Sequence, residues 1–260
     1  MNTAERVFHA AQKLSRELET IPGIPLPPAV VGADPTDYCA DYFRAYLDRA
    51  ASGQRPCLIV GMNPSPHGQA QNGVPFGDTP TARRILAQWL GSTRPDHAKV
   101  RLDLLTSIHT DAKVLLEVKG LDYQRGEESG RRLWGLLEQL CGSLDHVLER
   151  CLLVNYCPLV LLDAAGRNVT PSSWPRTAEP ARAMEAACDE WIREVVSIVK
   201  PETVIGVGEY ARQRCDWALR EIVGLQVVGM RHPSPLAGTV QAWQAIALPI
   251  LARALGVDIT

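Results

Sequence analysis

The sequence predicts an α/β fold, a three-layer α/β/α sandwich whose central, mainly parallel sheet has four strands. Apolar runs alternate with segments of helical periodicity, and each run is almost wholly apolar, as expected of parallel strands covered by helices on both faces. The runs occupy residues 57–62, 151–162, 203–208 and 225–230. No repeat or linker-like segment divides the 260 residues. We therefore expect a single domain over 1–260, with an N-terminal helical extension over about 1–34.

Helical periodicity and capping residues predict the helices that cover this sheet. The amphipathic pattern of residues 4–20 ends at the turn-rich segment IPGIPLPP, and Asp34 or Thr36 is expected to cap the next helix. The predicted helices cover residues 4–20, about 34–51, 81–91, 126–142, 177–199, 209–222 and about 240–255. Between residues 92 and 126, the runs LDLLTS and KVLLEV indicate short strands or helix fragments.

Composition excludes several classes of protein. The formal net charge of -2 provides no overall attraction to nucleic acid or to a membrane surface, so a polyanion must be met by a local patch. No run approaches the about 18 apolar residues of a membrane-spanning helix, and the N-terminus lacks the apolar core of a signal peptide. The seven cysteines show no metal-binding spacing and indicate reduced core thiols. We expect a soluble intracellular protein.

Polar and aromatic residues follow the predicted strands in loops that should meet at one edge of the sheet. In parallel sheets, ligands bind at the carboxyl ends of the strands. Asn63 and Phe76 lie in the first loop, GMNPSPHGQAQNGVPFGD, while Asn155 and His232 follow later strands. This set contains no carboxylate pair, no activated Ser or Cys and no metal cluster. It suits a reaction in which the bond breaks largely by itself and the protein stabilises the charges that appear.

Five segments, in order, resemble the single-strand-selective monofunctional uracil-DNA glycosylases, a branch of the uracil-DNA glycosylase superfamily. The first loop is similar to the family pattern GMNPGPFGMAQTGVPFG, and the resemblance extends over roughly residues 35–255. The five segments are GMNPSPHGQAQNGVPFGD, KGLDYQRGEESGRRLWG, VNYCPLVLLDAAGRNVTP, VIGVGEYARQRC and HPSPLAG. The resemblance implies a DNA repair enzyme that flips uracil out of DNA and hydrolyses its N-glycosidic bond to leave an abasic site.

The resemblance also implies roles for individual residues. Asn63 would orient the attacking water, His232 would stabilise the departing uracil anion, and Phe76 would stack on the flipped base. Asn155 would match the N3–H donor and the O4 acceptor of uracil with its own amide. The full set of residues expected to bind the base is Gly61, Met62, Ser65, Phe76 and Asn155. The resemblance further implies that no metal and no organic cofactor is needed. It also implies a monomer in the cytoplasm, associated with the nucleoid in a bacterium or located in the nucleus of a eukaryote.

The second motif and its neighbours are the expected DNA contacts. The residues concerned are Arg231, Pro233, Ser234, Pro235 and Leu236. The expected partner is single- or double-stranded DNA that contains uracil. Leu236 is expected to act as an apolar wedge in duplex DNA, because apolar side chains can insert between base steps. The family has a longer HPSPRNP segment here, with basic residues that this chain lacks. Arg83 and Arg84 are further candidate phosphate contacts, although a solvated helix surface explains them as well.

Three departures from the family pattern leave the range of substrates open. Ser65 stands where the family has Gly beside the base C5 edge, while His67 and Gln69 replace an aromatic residue and a Met. Small substituents at C5 of uracil are therefore compatible with the side of the base-binding site that these three residues form. One alternative is a glycosylase with shifted specificity, for hypoxanthine, xanthine or oxidised pyrimidines. Others are a non-catalytic module that binds lesions or single strands, and a nucleotide-binding enzyme that uses the incomplete glycine-rich turn VIGVG at 204–208.

Overall fold

The computed structural model describes residues 1–26, 29, 31–87, 116 and 118–258. The strands of these residues form two β-sheets. In chain order, the strands of the described residues are β1 (Val31–Ala33), β2 (Cys57–Gly61), β3 (Cys151–Asn155), β4 (Val160–Leu162), β5 (Asn168–Val169), β6 (Thr203–Val207) and β7 (Gln226–Met230). The α-helices are α1 (Thr3–Thr20), α2 (Pro35–Tyr38), α3 (Ala40–Ala50), α4 (Gln69–Asn72), α5 (Thr79–Leu86), α6 (Glu128–Cys141), α7 (Leu144–Arg150), α8 (Glu179–Val199), α9 (Glu209–Leu219) and α10 (Val240–Leu255).

The central sheet has four parallel strands in the order β3-β2-β6-β7. This arrangement confirms the predicted α/β class and the parallel sheet. Strands β2 and β3 are buried along their whole length, because apolar side chains point to both faces. Their register pairs Gly61 with Asn155 at the carboxyl ends. The loops that follow β2 and β3 therefore start side by side at one edge of the sheet.

The helices pack around this sheet in two groups. Helix α1 contacts α3 and α8, and α8 contacts α9, which lies on β6 and β7. Helix α6 contacts α7 and α10, and α10 also reaches β7. The side chains of Trp134 on α6 and Trp243 on α10 are almost completely buried. Burial of two large aromatic side chains anchors this second group against the loops that follow β2 and β7.

The single strand predicted over 151–162 is wrong, because the structure divides it into β3 and β4. Pro158 lies between them and has no backbone N–H, so it cannot continue the ladder of hydrogen bonds. Strand β4 instead joins a small second sheet of order β1-β4-β5, in which it pairs antiparallel with both neighbours. Strand β5 lies within the segment after residue 162 that was predicted to be a loop, so that part of the prediction is also wrong. Helix α7 was also not predicted.

Most helices begin and end within a few residues of their predicted bounds, and α10 matches them. The predicted helix over 34–51 is divided at Cys39 into α2 and α3. Asp34 caps α2, since its Oδ1 accepts a hydrogen bond from Thr36 N at 2.7 Å. Helix α5 ends at Leu86, and residues 88–91 of the predicted helix lie outside the described residues. The run LDLLTS and most of KVLLEV lie outside the described residues.

The cysteines are unpaired, and six of the seven are buried. Burial raises the pKa of the Cys39 thiol to about 12, which keeps it protonated at neutral pH. Within the described residues, no group of His, Cys, Asp and Glu side chains is arranged to hold a metal ion. In the same part of the chain, no helix is long and apolar enough to cross a membrane.

Candidate functional site

A cavity of about 370 Å³ opens at the carboxyl edge of the central sheet. Its wall combines the loops that follow β2, β5 and β7 with the end of β3, the start of β5 and the start of α6. The lining residues are Met62, Asn63, Ser65, Gly68, Gln69, Phe76, Glu127, Ser129, Asn155, Asn168, Thr170, His232, Ser234 and Leu236. The structure thus brings together the four residues that the strand-end pattern selected, Asn63, Phe76, Asn155 and His232.

Asn63 presents an acceptor to this cavity. Its Nδ2 donates to the carbonyl oxygen of Leu159 at 3.2 Å and lies 3.5 Å from that of Pro64. Because a carbonyl oxygen can only accept, these contacts define which end of the amide is nitrogen. The Oδ1 atom is therefore left to accept a hydrogen bond from a molecule in the cavity.

His232 is held as a neutral imidazole with its proton on Nε2. The backbone N–H of Ser234 donates to Nδ1 of His232 at 3.2 Å, so Nδ1 carries no hydrogen. Burial lowers the pKa of His232 below its usual value of 6.5, because burial penalises the charged form. The remaining donor, Nε2–H, is available to an oxygen or an anion in the cavity. The His232 ring lies 6.3 Å from the Phe76 ring, measured between centroids.

Phe76 lies in the left-handed region of backbone space, with a φ of 54°, which is rare for an aromatic residue. The start of α6 supports this conformation. A Cβ atom at Gly130 would overlap the carbonyl group of Phe76, so only glycine permits the approach. Nearby, Trp134 Nε1 donates to the carbonyl oxygen of Pro75 at 3.2 Å. These contacts keep the Phe76 ring at the cavity wall.

Asn155 is at the end of β3 and is 8% exposed. Trp191 Nε1 donates to its carbonyl oxygen at 3.0 Å, and its own Nδ2 donates to Oε1 of Gln69 at 2.5 Å. The opposing strand position must be glycine. A Cβ at Gly61 would overlap Asn155 Oδ1 and would lie 2.7 Å from the Phe76 ring. Gly61 therefore acts by allowing its two neighbours to approach, while Met62 lines the cavity itself.

Ser65 lines the cavity, but its hydroxyl group is used within the loop. Ser65 Oγ accepts a hydrogen bond from His67 N at 3.2 Å, and its carbonyl oxygen accepts from Gly68 N and Ala70 N. His67 turns away from the wall and stacks on Tyr123, with the two ring planes 10° apart. The residues that replace the family's Gly and aromatic residue thus build the turn between β2 and α4.

The loop after β7 forms the outer rim of the cavity. Arg132 on α6 donates to the carbonyl oxygens of Ser234 at 3.3 Å and Gly238 at 3.0 Å. The carbonyl oxygen of Arg231 accepts from Trp243 Nε1 at 2.8 Å. The loop is therefore anchored at both ends while Leu236, between these anchors, is 94% exposed. Pro233 and Pro235 are part of this loop but do not line the cavity.

Two of the candidate phosphate contacts have partners inside the protein. Arg84 forms a two-bond ion pair with Glu138. Arg83 donates to the carbonyl oxygen of Leu121 at 2.5 Å. Both side chains therefore connect α5 to its neighbours.

Besides Gln69, four polar side chains at the cavity were not among the sequence-predicted site residues: Glu127, Ser129, Asn168 and Thr170. Burial raises the pKa of Glu127, whose carboxylate caps α6 by accepting from Ser129 N and Gly130 N. Asn168 is in β5, and Thr170 directly follows this strand. The four residues lie in two of the segments that carry the family resemblance, which is the signal that could have identified them.

Comparisons with known proteins agree with this architecture. The family model described as "Uracil DNA glycosylase superfamily" matches residues 49–247. A single-strand selective monofunctional uracil DNA glycosylase of Bos taurus is 35% identical over 216 residues, 82% of this chain and 74% of the relative. Its counterpart of Mus musculus is 34% identical over 249 residues, 94% of this chain and 82% of the relative. The crystal structure of wild-type Pedobacter heparinus SMUG2 has a TM-score of 0.65 and 15% identity, covering 97% of each chain, and supports the fold alone.

Proposed function

The chain belongs to the uracil DNA glycosylase superfamily, and from this premise we propose that it removes uracil from DNA. It hydrolyses the N-glycosidic bond and leaves an abasic site. One observation carries the proposal: Asn63, Phe76, Asn155 and His232 line one cavity, and the amide of Asn63 and the imidazole of His232 are held in defined hydrogen-bonding states. A module that only binds damaged DNA has no need of either orientation.

Recognition of the base requires that the nucleotide leaves the DNA stack, because the cavity lies at the end of a buried sheet. Phe76 stacks on the flipped ring. Asn155 Oδ1 accepts from N3–H of uracil, and the second hydrogen of its Nδ2 donates to O4. Cytosine reverses both the donor and the acceptor and is rejected. Since Ser65 is much smaller than an aromatic residue, a modest C5 substituent on uracil is also accommodated.

The chemistry follows from the lack of a strong base among the four residues. An amide such as Asn63 cannot remove a proton from water, so its Oδ1 only orients the water near the sugar C1′. The bond between base and sugar therefore breaks first, and the sugar acquires oxocarbenium character. His232 donates from Nε2 to O2 of the departing uracil, where negative charge develops. The water then adds to C1′ and releases a proton to solvent, while the uracil anion takes up a proton, which completes the hydrolysis.

The proposed enzyme is monofunctional and acts on DNA as a monomer. It works where the DNA is held, at the nucleoid of a bacterium or in the nucleus of a eukaryote. No lysine lines the cavity in the part of the chain that the structure describes, so a Schiff base with the sugar is not expected. The test uses oligonucleotides with one deoxyuridine, single- and double-stranded. Strand cleavage should require added alkali, and borohydride should trap no covalent adduct. Absence of cleavage in both substrates after alkali would contradict the proposed function.

Substitution of Gly61 should disturb the site without removing any reacting group. In the Gly61→Ala variant, the new methyl group overlaps Asn155 Oδ1 and crowds the Phe76 ring. A displacement of this kind reduces catalysis by about 10²-fold, which single-turnover kinetics on a uracil oligonucleotide would measure. Gly135→Ala is the matched control, since nothing lies within 4 Å of an added Cβ there. Equal activity of both variants would show that this close approach does not matter.

The exposed Leu236 is proposed to fill the space that the flipped nucleotide leaves in a duplex. We expect Leu236→Ala to lower kcat/KM on double-stranded substrate by about tenfold and on single-stranded substrate by less than about twofold, because only the duplex has a stack to keep open. Val223→Ala is the control, since Val223 is also exposed but lies in the turn after α9. An equal loss on both substrates would contradict the wedge role.

A further inference from the structure

Gln69 is the most unusual polar side chain of the cavity. It is the first residue of α4, it is only 2% exposed, and it lines the cavity. Its Oε1 accepts a hydrogen bond from Asn155 Nδ2 at 2.5 Å. Its Nε2 has no hydrogen-bond partner among the residues that the structure describes. Because Gln69 lines the cavity, this nitrogen is left to donate to an acceptor that a ligand in the cavity supplies.

The pairing with Gln69 also decides what Asn155 presents to the base. With Gln69 Oε1 as acceptor, Asn155 must direct Nδ2 towards Gln69 and keep Oδ1 for the N3–H of uracil. In the opposite pairing, Gln69 Nε2 would donate to Asn155 Oδ1. Asn155 would then present a donor to the N3–H donor of uracil, and the two would repel. The observed pairing is thus the one that suits uracil.

We propose that Gln69 is a specificity-determining residue that reads the 4-keto group of the base, an inference that rests on the proposed function of the cavity. Gln69 Nε2 donates to O4 beside the second hydrogen of Asn155 Nδ2, so two donors converge on one oxygen. A base with an amino group at C4 meets two donors at this point and is excluded. The family pattern has Met at the position of Gln69. A Met side chain can neither hold the Asn155 amide nor donate a hydrogen bond to O4, so this mode of reading O4 distinguishes the present chain from the family pattern.

Competition by free bases isolates the contact with O4. Inhibition constants for uracil, 4-thiouracil and 2-thiouracil are measured with the wild type and with Gln69→Met. Sulfur is a poor acceptor, so 4-thiouracil lacks the partner of Gln69, whereas 2-thiouracil keeps O4. We expect Gln69→Met to weaken the binding of all three bases, because the Asn155 amide loses its partner. The binding of uracil and 2-thiouracil should weaken about tenfold more than that of 4-thiouracil, since only these two bases also lose a hydrogen bond at O4.

A second variant and a control keep the test decisive. Gln69→Glu keeps an acceptor for Asn155 but replaces the donor beside O4 with another acceptor. It should therefore weaken the binding of uracil more than Gln69→Met does. Gln124→Met, at an exposed glutamine, should change none of the constants. An equal loss for all three bases, or no loss for uracil, would overturn the role of Gln69. Failure of the wild type to excise uracil from DNA would instead overturn the proposed function.

Discussion

The Asn63→Ala variant is expected to excise uracil about 10³-fold more slowly than the wild type, because positioning of the attacking water by one side chain contributes about this much. The structure directs the Asn63 Oδ1 towards the cavity by holding Nδ2 on Leu159 O at 3.2 Å. Alanine removes that acceptor, and the water loses its orientation relative to the sugar. Single-turnover kinetics on a uracil oligonucleotide would measure the loss.

The same variant should bind uracil-containing DNA nearly as well as the wild type. Asn63 is proposed to contact the water, while Phe76, Asn155 and Leu236 contact the nucleic acid. Fluorescence anisotropy with the labelled strand and thermal unfolding of the variant provide the two controls. If binding and excision fell by the same factor, Asn63 would be a residue of the binding surface and the proposed role would be wrong.

The His232→Ala variant is expected to lose about 10²–10³-fold in kcat, the usual effect of removing one donor to a developing anion. The Nε2–H of His232 is the donor concerned, since Nδ1 already accepts from Ser234 N. KM should change little, because the negative charge on O2 develops only as the bond breaks. His146→Ala, at an exposed histidine on α7, should retain full activity.

The pH dependence of the wild type should reveal the state of His232. Burial lowers its pKa below 6.5, so the neutral form persists at neutral pH and is lost only as the pH falls through that lowered pKa. Protonation of Nδ1 would place two donors, Nδ1–H and the Ser234 N–H, against each other. Activity should therefore decrease on the acid side of 6.5. His232→Gln should excise uracil more slowly than the wild type, and its rate should not change with pH below 6.5. If the rate of this variant still decreased at acid pH, a group other than His232 would be responsible for the titration.

The α/β class and the place of the site could be predicted because they depend on short-range patterns. Continuous apolar runs indicate parallel strands, and the geometry of such strands brings the loops at their carboxyl ends together. Asn63, Phe76, Asn155 and His232 meet in one cavity for this reason. The division of 151–162 was missed because apolar residues continue on both sides of Pro158, so hydrophobicity alone shows no break.

Side-chain orientation inside the cavity could not be predicted. Whether Asn63 presents oxygen or nitrogen depends on Leu159, which is distant in sequence and becomes a neighbour only when β3 and β2 pair. The same holds for Gln69, whose contact with Asn155 joins residues 86 positions apart. Glu127 was overlooked because a carboxylate that caps a helix has the same sequence pattern whether it faces solvent or a ligand cavity.

The most direct measurement is the amount of free uracil released from DNA, compared with the number of abasic sites formed. The wild type should release one uracil for each abasic site and leave the strand intact until alkali is added. The Asn63→Ala, His232→Ala double variant should release none above the uncatalysed rate while it still folds. Release of uracil by the double variant at the wild-type rate, or no release by the wild type from either strand form, would contradict the account.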